Sequence, residues 1–432
     1  MTDAATEHNA GPNPPGLRPG GDASANVAAL QAALDRGGDV VIGVPGVYDV
    51  NDTLLIGGGT SLRCAAGVVL RKVADPEPFT HVLLNRGALS GAVDRGIQVE
   101  NLKVCVNGVD RVMREVYGLR GQVAFFRVAD LTMIGFRCDD LDNMQFCVHV
   151  CDFEDVLIHD VMIRGGKDGV HFGRGRRFTV SRGVFATRDD AIALNAQDYT
   201  TSNPTRGDIE DGLITDCYDL PSPQGIGEQV GYFCRVLAGA WVDWFEGMPV
   251  RHSDTVVTGG RVYRVEGEPG EAERPSVTRP THEAGVAELD GIRWSVMQPA
   301  AGYSAVVRRV VFRDIRLRAP RAGIALHCDS GRFCRGYYPK GELPVQADLT
   351  IESTSVASDH GHPMLSLSTP VNRLRLRGCD FGQVPVSTGN NGGLPPWTGS
   401  RIDVRDCVAT PDLDHAFAAV RDDPRYELAV DC

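Results

Sequence analysis

Residues 131–195 can be laid on themselves at a shift of 22 to 25 positions, and this periodicity constrains the fold more than any single motif does. Leu131-Thr132-Met133 falls on Val156-Leu157-Ile158 at a shift of 25, and the same shift carries Asn143-Met144-Gln145 onto Asp168-Gly169-Val170. A shift of 22 carries Val156 onto Phe178 and Asp168-Gly169-Val170 onto Asp190-Ala191-Ile192. Short runs of strand-forming residues, punctuated by Gly, Asp and Asn, recur from DVVIGV to RIDVRDC. A unit of this length, with strands and no helix, cannot bury its inner face alone. It must stack on its neighbours about 4.8 Å apart. Leucine-rich repeats share the period, but their LxxLxLxxN pattern is absent. The expected fold is all-β: a single right-handed parallel β-helix.

One segment reads as helix. Asn26–Asp35 places Val27, Leu30, Ala33 and Leu34 on one face, which suits a cap over the first coil. Residues 1–21 read as a flexible tail, 22–410 as the β-helix, and 411–432 as a C-terminal cap or tail, with inserted loops near 236–250 and 266–285. The balance of 44 Lys+Arg against 56 Asp+Glu gives a net charge of −12. That excludes nucleic acid and anionic membrane as main partners, because both call for a basic surface. No run of about eighteen uninterrupted apolar residues is present. The first residues lack the basic and apolar regions of a secretory signal, so a cytoplasmic location is expected, or a secreted one if a signal has been removed. The twelve cysteines include no CxxC pair and sit in runs such as LKVCV and QFCVHVC, which fits buried thiols better than a disulfide framework.

Two adjacent coils carry Gly166-Lys167-Asp168-Gly169-Val170-His171-Phe172 and Arg188-Asp189-Asp190-Ala191-Ile192-Ala193-Leu194-Asn195. Stacking gathers Asp168, Asp189 and Asp190 at one sheet edge, and three carboxylates so close raise the pKa of at least one. Glycoside hydrolysis needs a protonated acid for the leaving oxygen and an ionised carboxylate to activate water. The competing reading is that these aspartates are turn residues, as most solenoid aspartates are.

The Asp168-Gly169 step, followed 21 and 22 residues later by Asp189-Asp190 and then AIAL, resembles the NTDG…DDCIAI pattern of glycoside hydrolase family 28, the polygalacturonases and their relatives. The opening VAALQAALDRGGDVVIGVPGVYDV is similar to the N-terminal cap and first coil of the wider pectate-lyase-like β-helix superfamily. The resemblance implies that Asp189 is the general acid and that Asp168 and Asp190 hold the attacking water, leading to inversion. It places His171 where the family often has another acid. Gln224 stands for the histidine of a Gly-His-Gly coil. Ala325 and His327 stand for the two basic residues that grip a uronate carboxylate, which points away from a simple galacturonan.

Asn143, one shift before Asp168, joins the candidate substrate-binding set. So do Trp241, Asp243, Trp244 and Glu246, since indole faces stack on sugars and acids accept hydroxyl hydrogen bonds. The same loop read blandly packs its aromatics back on the β-helix. His252 and Asp254 follow and could reach the same cleft. The pair His360 and His362 has no third ligand at metal spacing, and no metal or cofactor is called for. The expectation is a glycoside hydrolase acting on a poly- or oligosaccharide, with no nucleic-acid or membrane partner and with a homo-oligomer left open. Its rivals are a polysaccharide lyase, for which Lys167, Arg174 and Arg188 are near enough, an intramolecular glycosyl transferase, and a non-catalytic glycan-binding β-helix.

Overall fold

The structure is a computed structural model that describes residues 11–113, 116–223, 230–357 and 361–431. Its main body is a 27-stranded sheet wound into a parallel β-helix, about 47% strand and 6% helix overall. Inward-facing positions stack into apolar columns. Val148 pairs with Val170, Val170 with Ile192, Ile192 with Cys234 and Cys234 with Ile324. Two residues on, Val150, Phe172, Leu194, Val236 and Leu326 form a second column. All of these are buried in one core. The residues between them point outwards, since side chains alternate along a strand.

The coil corners explain the abundance of aspartate. Asp130, Asp155, Arg177, Asp211 and Arg309 have φ between 54° and 58°, and in consecutive coils they occupy one position. Five residues further along, Gly135, Asp160, Arg182, Asp216 and Asp314 form a second left-handed column. Aspartate tolerates this conformation better than most residues because its short side chain can bond locally. From Asp155 onwards the first column also alternates in sign, and Arg177 Nε meets Asp155 at 2.6 Å as Arg309 Nε meets Asp211 at 2.6 Å. Such exposed pairs add little each. Asp168, Asp189 and Asp190 are not among the left-handed residues, so the corner columns do not account for them.

The ends are closed by different devices. The helix Ala23–Arg36, three residues longer at its start than expected, is capped by Asp22, whose carboxylate accepts from Ala25 N at 2.9 Å. Leu30, Ala33 and Leu34 cover the first coil, and the Gln31 amide bonds both the N–H (2.7 Å) and the C=O (3.0 Å) of Leu55. One side chain thereby stands in for a missing strand. Residues 11–21, read from sequence as tail, lie against this end with Leu17 buried and Asn13 donating to the Tyr48 hydroxyl at 2.7 Å. At the other end the strand Tyr426–Asp431 pairs with Ser400–Arg405, so solenoid pairing continues past residue 410.

The two expected loops are parts of one folded insertion. The chain leaves the coil after Leu237 and returns so that Ile209 pairs with Val307. Between them, Val242–Asp243, Thr255–Thr258, Arg261–Glu266, Val286–Leu289 and Ile292–Pro299 build a second, five-stranded sheet. Met248, Val250, Val256, Tyr263, Ile292, Trp294 and Tyr338 fill its own small core.

The left-handed corners are directly testable. Replacing exposed Asp314 (φ 52°) by glycine should leave stability within about 0.5 kcal/mol, because glycine adopts this conformation freely. Asp314→Val should cost about 1–2 kcal/mol, because a β-branched side chain is strained there. Urea unfolding of the two variants measures the difference.

Candidate active site

Three of the sequence-predicted residues do converge. Asp168 and Asp190 occupy the same position of consecutive coils, linked through Gly169 N, which donates to the Asp190 carbonyl at 2.9 Å. Asp189 lies beside Asp190 and Lys167 beside Asp168, so stacking creates a compact charged patch. One oxygen from each of the three carboxylates lies within 4.8 Å of the others. Lys167 is ion-paired to Asp189 and reaches Asp168 Oδ1 at 3.5 Å. Its ammonium supplies positive charge to a cluster that would otherwise be two buried acids and one half-buried one.

The three acids differ in environment. Only Asp189 reaches solvent to any extent, with 22% of its side chain exposed, against 5% for Asp168. Asp168 is buried, which favours its neutral form, but the Lys167 charge and the hydrogen bond from His171 outweigh burial and hold its pKa well below the usual carboxylate range. Asp190 is pushed the opposite way. Burial raises its pKa well above the ordinary value, and the charges of Asp189 and Asp168 raise it further, against the weaker pull of Arg235 and a hydrogen bond from Tyr232 N at 2.8 Å. A carboxyl held protonated thus sits beside a carboxylate held ionised.

His171 faces outwards from the coil yet is buried, because thirteen residues, 196–208, separate the strand Ile192–Asn195 from the next, where the previous coil has only 173–174. That long connection folds over the outer face. His171 Nδ1 lies 2.9 Å from Asp168 Oδ2 and Nε2 lies 3.3 Å from Ser202 Oγ. Ser202 donates to Asp198 at 2.7 Å, and Asn195 donates to the same carboxylate oxygen at 2.6 Å. The imidazole is stacked on Phe146 with ring centres 4.1 Å apart. A hydrogen-bonded chain therefore runs from the acid cluster into the covering loop. On the other side, buried Arg321 is ion-paired to Asp219, donates to the Thr187 carbonyl at 3.2 Å and also bonds the Asp189 carbonyl. It fixes the turn that presents Asp189.

Among the described residues, the other candidates are not hydrogen-bonded to the three acids. Trp241 is buried, with Nε1 donating to the Gly302 carbonyl at 3.1 Å, so it is core and not a sugar platform. Trp244 packs against the insertion's core, donates to Ser276 at 2.8 Å and carries the Arg279 guanidinium over its ring. Asp243 is exposed and accepts from the Tyr303 hydroxyl at 2.8 Å, and Glu246 is exposed on the same insertion. Asn143 is exposed in a turn, bonding Asp142. His252 is buried beneath the covering loop against Thr200, and burial lowers its pKa to about 4. His327, also held to about 4 by burial, meets the ring of Tyr232, whose backbone bonds Asp190. Gln224 and His360 lie outside the described residues.

Residues that sequence reasoning passed over complete the site. Lys167 entered only as a lyase residue, and Tyr199, Ser202, Arg235 and Arg321 not at all. The visible signal was the break of period after Asn195. A cleft of about 230 Å³, not lined by the three acids themselves, opens between Asp198, Tyr199, Arg235, Asp329, Phe333 and Asn391. A larger groove of about 660 Å³ lies across the opposite charged ladder, where Glu154, Arg176, Asp208 and Glu210 belong to surface ion pairs.

No protein-family model matches the chain, and no curated protein does. Among solved structures it is similar in fold to a tailspike protein double mutant of E. coli bacteriophage HK620, at 10% identity and TM-score 0.48, covering 92% of this chain and 64% of that one. It is similar to a Yersinia enterocolitica family 28 exopolygalacturonase at 12% identity and TM-score 0.45, covering 94% and 74%. The surface adhesin PfbA of Streptococcus pneumoniae gives 13% identity and TM-score 0.46, covering 98% and 94%. The chain thus spans less than two thirds of the tailspike's length.

The Asp190 proton has a consequence for stability. In the unfolded chain this carboxyl ionises near 3.8, whereas the folded protein retains its proton to higher pH. Above that value the unfolded state binds fewer protons than the native state, so this group makes stability fall as pH rises. Asp190→Asn should remove the effect. Melting temperatures of wild type and variant should coincide near pH 3 and separate above about pH 4, with the variant higher.

Proposed function

We propose that this protein hydrolyses a glycosidic bond in a poly- or oligosaccharide by carboxylate acid/base catalysis. The observation that carries this reading is the pairing of a buried carboxyl held protonated, Asp190, with a buried carboxylate held ionised, Asp168, around a solvent-facing Asp189. Acid/base hydrolysis needs that division of protonation states. Asp189 is the group that meets the leaving oxygen. It lies next to Asp190 in the chain, and the Asp190 backbone N–H, donating to Asp189 Oδ1 at 3.1 Å, positions the Asp189 carboxyl. Asp168 receives the proton of the attacking water, oriented by His171. Bond cleavage at the anomeric carbon is then balanced: one proton leaves the cluster for the alcohol product and one returns to it from water.

Lys167 weakens the lyase alternative. Burial disfavours its charge, but Asp168 and Asp189 raise its pKa above the usual lysine value, so it stays an ammonium and cannot abstract a sugar C5 proton. A purely glycan-binding protein gains nothing from mutually repelling buried acids, which cost stability. Among the described residues, the position expected to grip a uronate holds Ala325 beside neutral His327, which favours a neutral or differently decorated glycan over galacturonan.

The test is turnover of an oligosaccharide panel with product analysis by mass. Wild type should release a shortened glycan with water added. Asp189→Asn should lower kcat by about 10²–10⁴-fold with a smaller change in KM, because a transition-state proton is lost and little ground-state contact with it. Its melting temperature should stay close to wild type. An unsaturated product would establish a lyase, and saturable binding without turnover would establish a binding protein.

A further inference from the structure

The covering loop ends on a residue that the acid cluster does not use. Arg206 is completely buried, and among the described residues none accepts a hydrogen bond from its Nε, Nη1 or Nη2. Its backbone is held on both sides by one side chain: Arg206 N donates to Gln298 Oε1 at 2.9 Å, and Gln298 Nε2 donates to the Arg206 carbonyl at 2.7 Å. The backbone that carries the guanidinium is therefore fixed in place. A second buried arginine, Arg264 of the inserted sheet, lies close enough that the Arg206 charge disfavours its own. Burial, the larger cause, and Arg206 bring Arg264 to about 9, and burial brings Arg206 to about 10. Arg264 donates once, from Nη1 to the Asn203 carbonyl at 2.6 Å, lies over the Tyr117 ring at 4.9 Å, and leaves Nε without a partner.

The nearby acids are engaged elsewhere. Asp198 acts on Arg206 only through space, and its oxygens accept from Asn195, Ser202 and Tyr199 N. Glu266 acts on Arg264 but is ion-paired with Arg293 at 3.2 Å. The imidazole of His252 faces the same two arginines and is held neutral by burial and by their charge. Two neighbouring guanidinium charges with four unmet nitrogens and, among the described residues, no contacting carboxylate are too costly to leave as they stand. Water could accept the N–H bonds but would leave the charges uncompensated. An organic acid would need contact surface that Arg206 does not expose. We propose that a small monoanion of halide size, such as chloride, is bound between Arg206 and Arg264.

The position gives such an anion a structural role. Arg206 closes the segment that carries Tyr199 and Ser202, and Asn203, which accepts from Arg264, also donates to the Asn195 carbonyl at 2.7 Å. The anion would tie the covering loop to the inserted sheet and so keep Ser202 against His171. A ligand that binds only the folded state stabilises it in proportion to the logarithm of its concentration.

The experiment is thermal melting of the full chain at fixed ionic strength, in sodium chloride or bromide against sodium gluconate. A rise of a few degrees in either halide, saturating with concentration, is expected for wild type and should vanish in Arg206→Met. Crystals grown in bromide should show an anomalous peak between the two guanidinium groups. Should Arg206→Met fail to fold, the bromide peak and the halide dependence of wild type decide alone. Identical melting in all three salts, with only water between the arginines, overturns the proposal. Neither outcome bears on the carboxylate cluster, whose turnover is assayed separately.

Discussion

Parallel stacking of one coil on the next converts a separation of 22 residues along the chain into about 4.8 Å in space, and every other feature of the molecule depends on that conversion. It places Val170 beneath Ile192 in the core and, in the same register, Asp168 beneath Asp190 at the edge. The register is held by the apolar columns inside, since a slip of one residue would turn Phe172 and Val170 outwards and His171 into the core. The left-handed corners reinforce it from outside, because each coil must bend at the same two positions. The constellation of acids is thus a by-product of core packing: the hydrophobic column positions the charges.

The same geometry sets the cost of the site. Burying like charges on adjacent rungs is unfavourable, and the surrounding residues read as the compensation for it. Lys167 meets two of the carboxylates, His171 meets Asp168, and Tyr232 N meets Asp190. Proton uptake by Asp190 removes one of the remaining negative charges. Arg321, locked to Asp219 away from solvent, holds the turn by its backbone and leaves the Asp189 carboxylate for Lys167 and for solvent. The balance is a cluster in which Asp168 and Asp190 are driven towards opposite protonation states because their surroundings differ, although both are aspartates.

Much of this was legible in the sequence, for a physical reason. A solenoid makes long-range contacts periodic, so the shift that aligns Val156 with Phe178 also predicts that they pair. The helix with Leu30 and Leu34 on one face and the convergence of Asp168, Asp189 and Asp190 follow from the same logic. Where periodicity stops, so does legibility. Trp241 and Trp244 lie in an insertion whose antiparallel pairing, such as Tyr263 with Val296, obeys no repeat, and their burial could not be told from exposure on an open loop. The Pro- and Glu-rich run after Glu266 looked unstructured, yet Arg274–Ser276 within it pairs with Met248–Val250. Lys167 was visible as a residue but not as the ammonium between two acids, because the direction of a long side chain is set by charge partners and not by spacing. Asn143 failed for the opposite reason: the repeat put it one coil before Asp168, but its turn faces solvent and it bonds only its neighbour's carboxylate.

The outward column offers a way to tell scaffold from function in such a fold. Along His149, His171, Ala193 and Arg235, the side chains point away from the core, where a solenoid ordinarily meets water. Here the two histidines are nevertheless fully buried, with rings 4.8 Å apart, and Arg235 is ion-paired to Asp329 beside the cleft. Nothing in the packing of the β-helix requires this column to be covered; the covering loop does it, using Ser202 and Asn203 as contacts. An outward position that is both polar and buried has been enclosed at the cost of loop ordering and desolvation. The left-handed aspartates of the corners carry no such cost, remaining at the surface as Asp155 and Asp211 do. The distinction between the two kinds of aspartate therefore rests on what covers them, and only the stacked structure makes that visible.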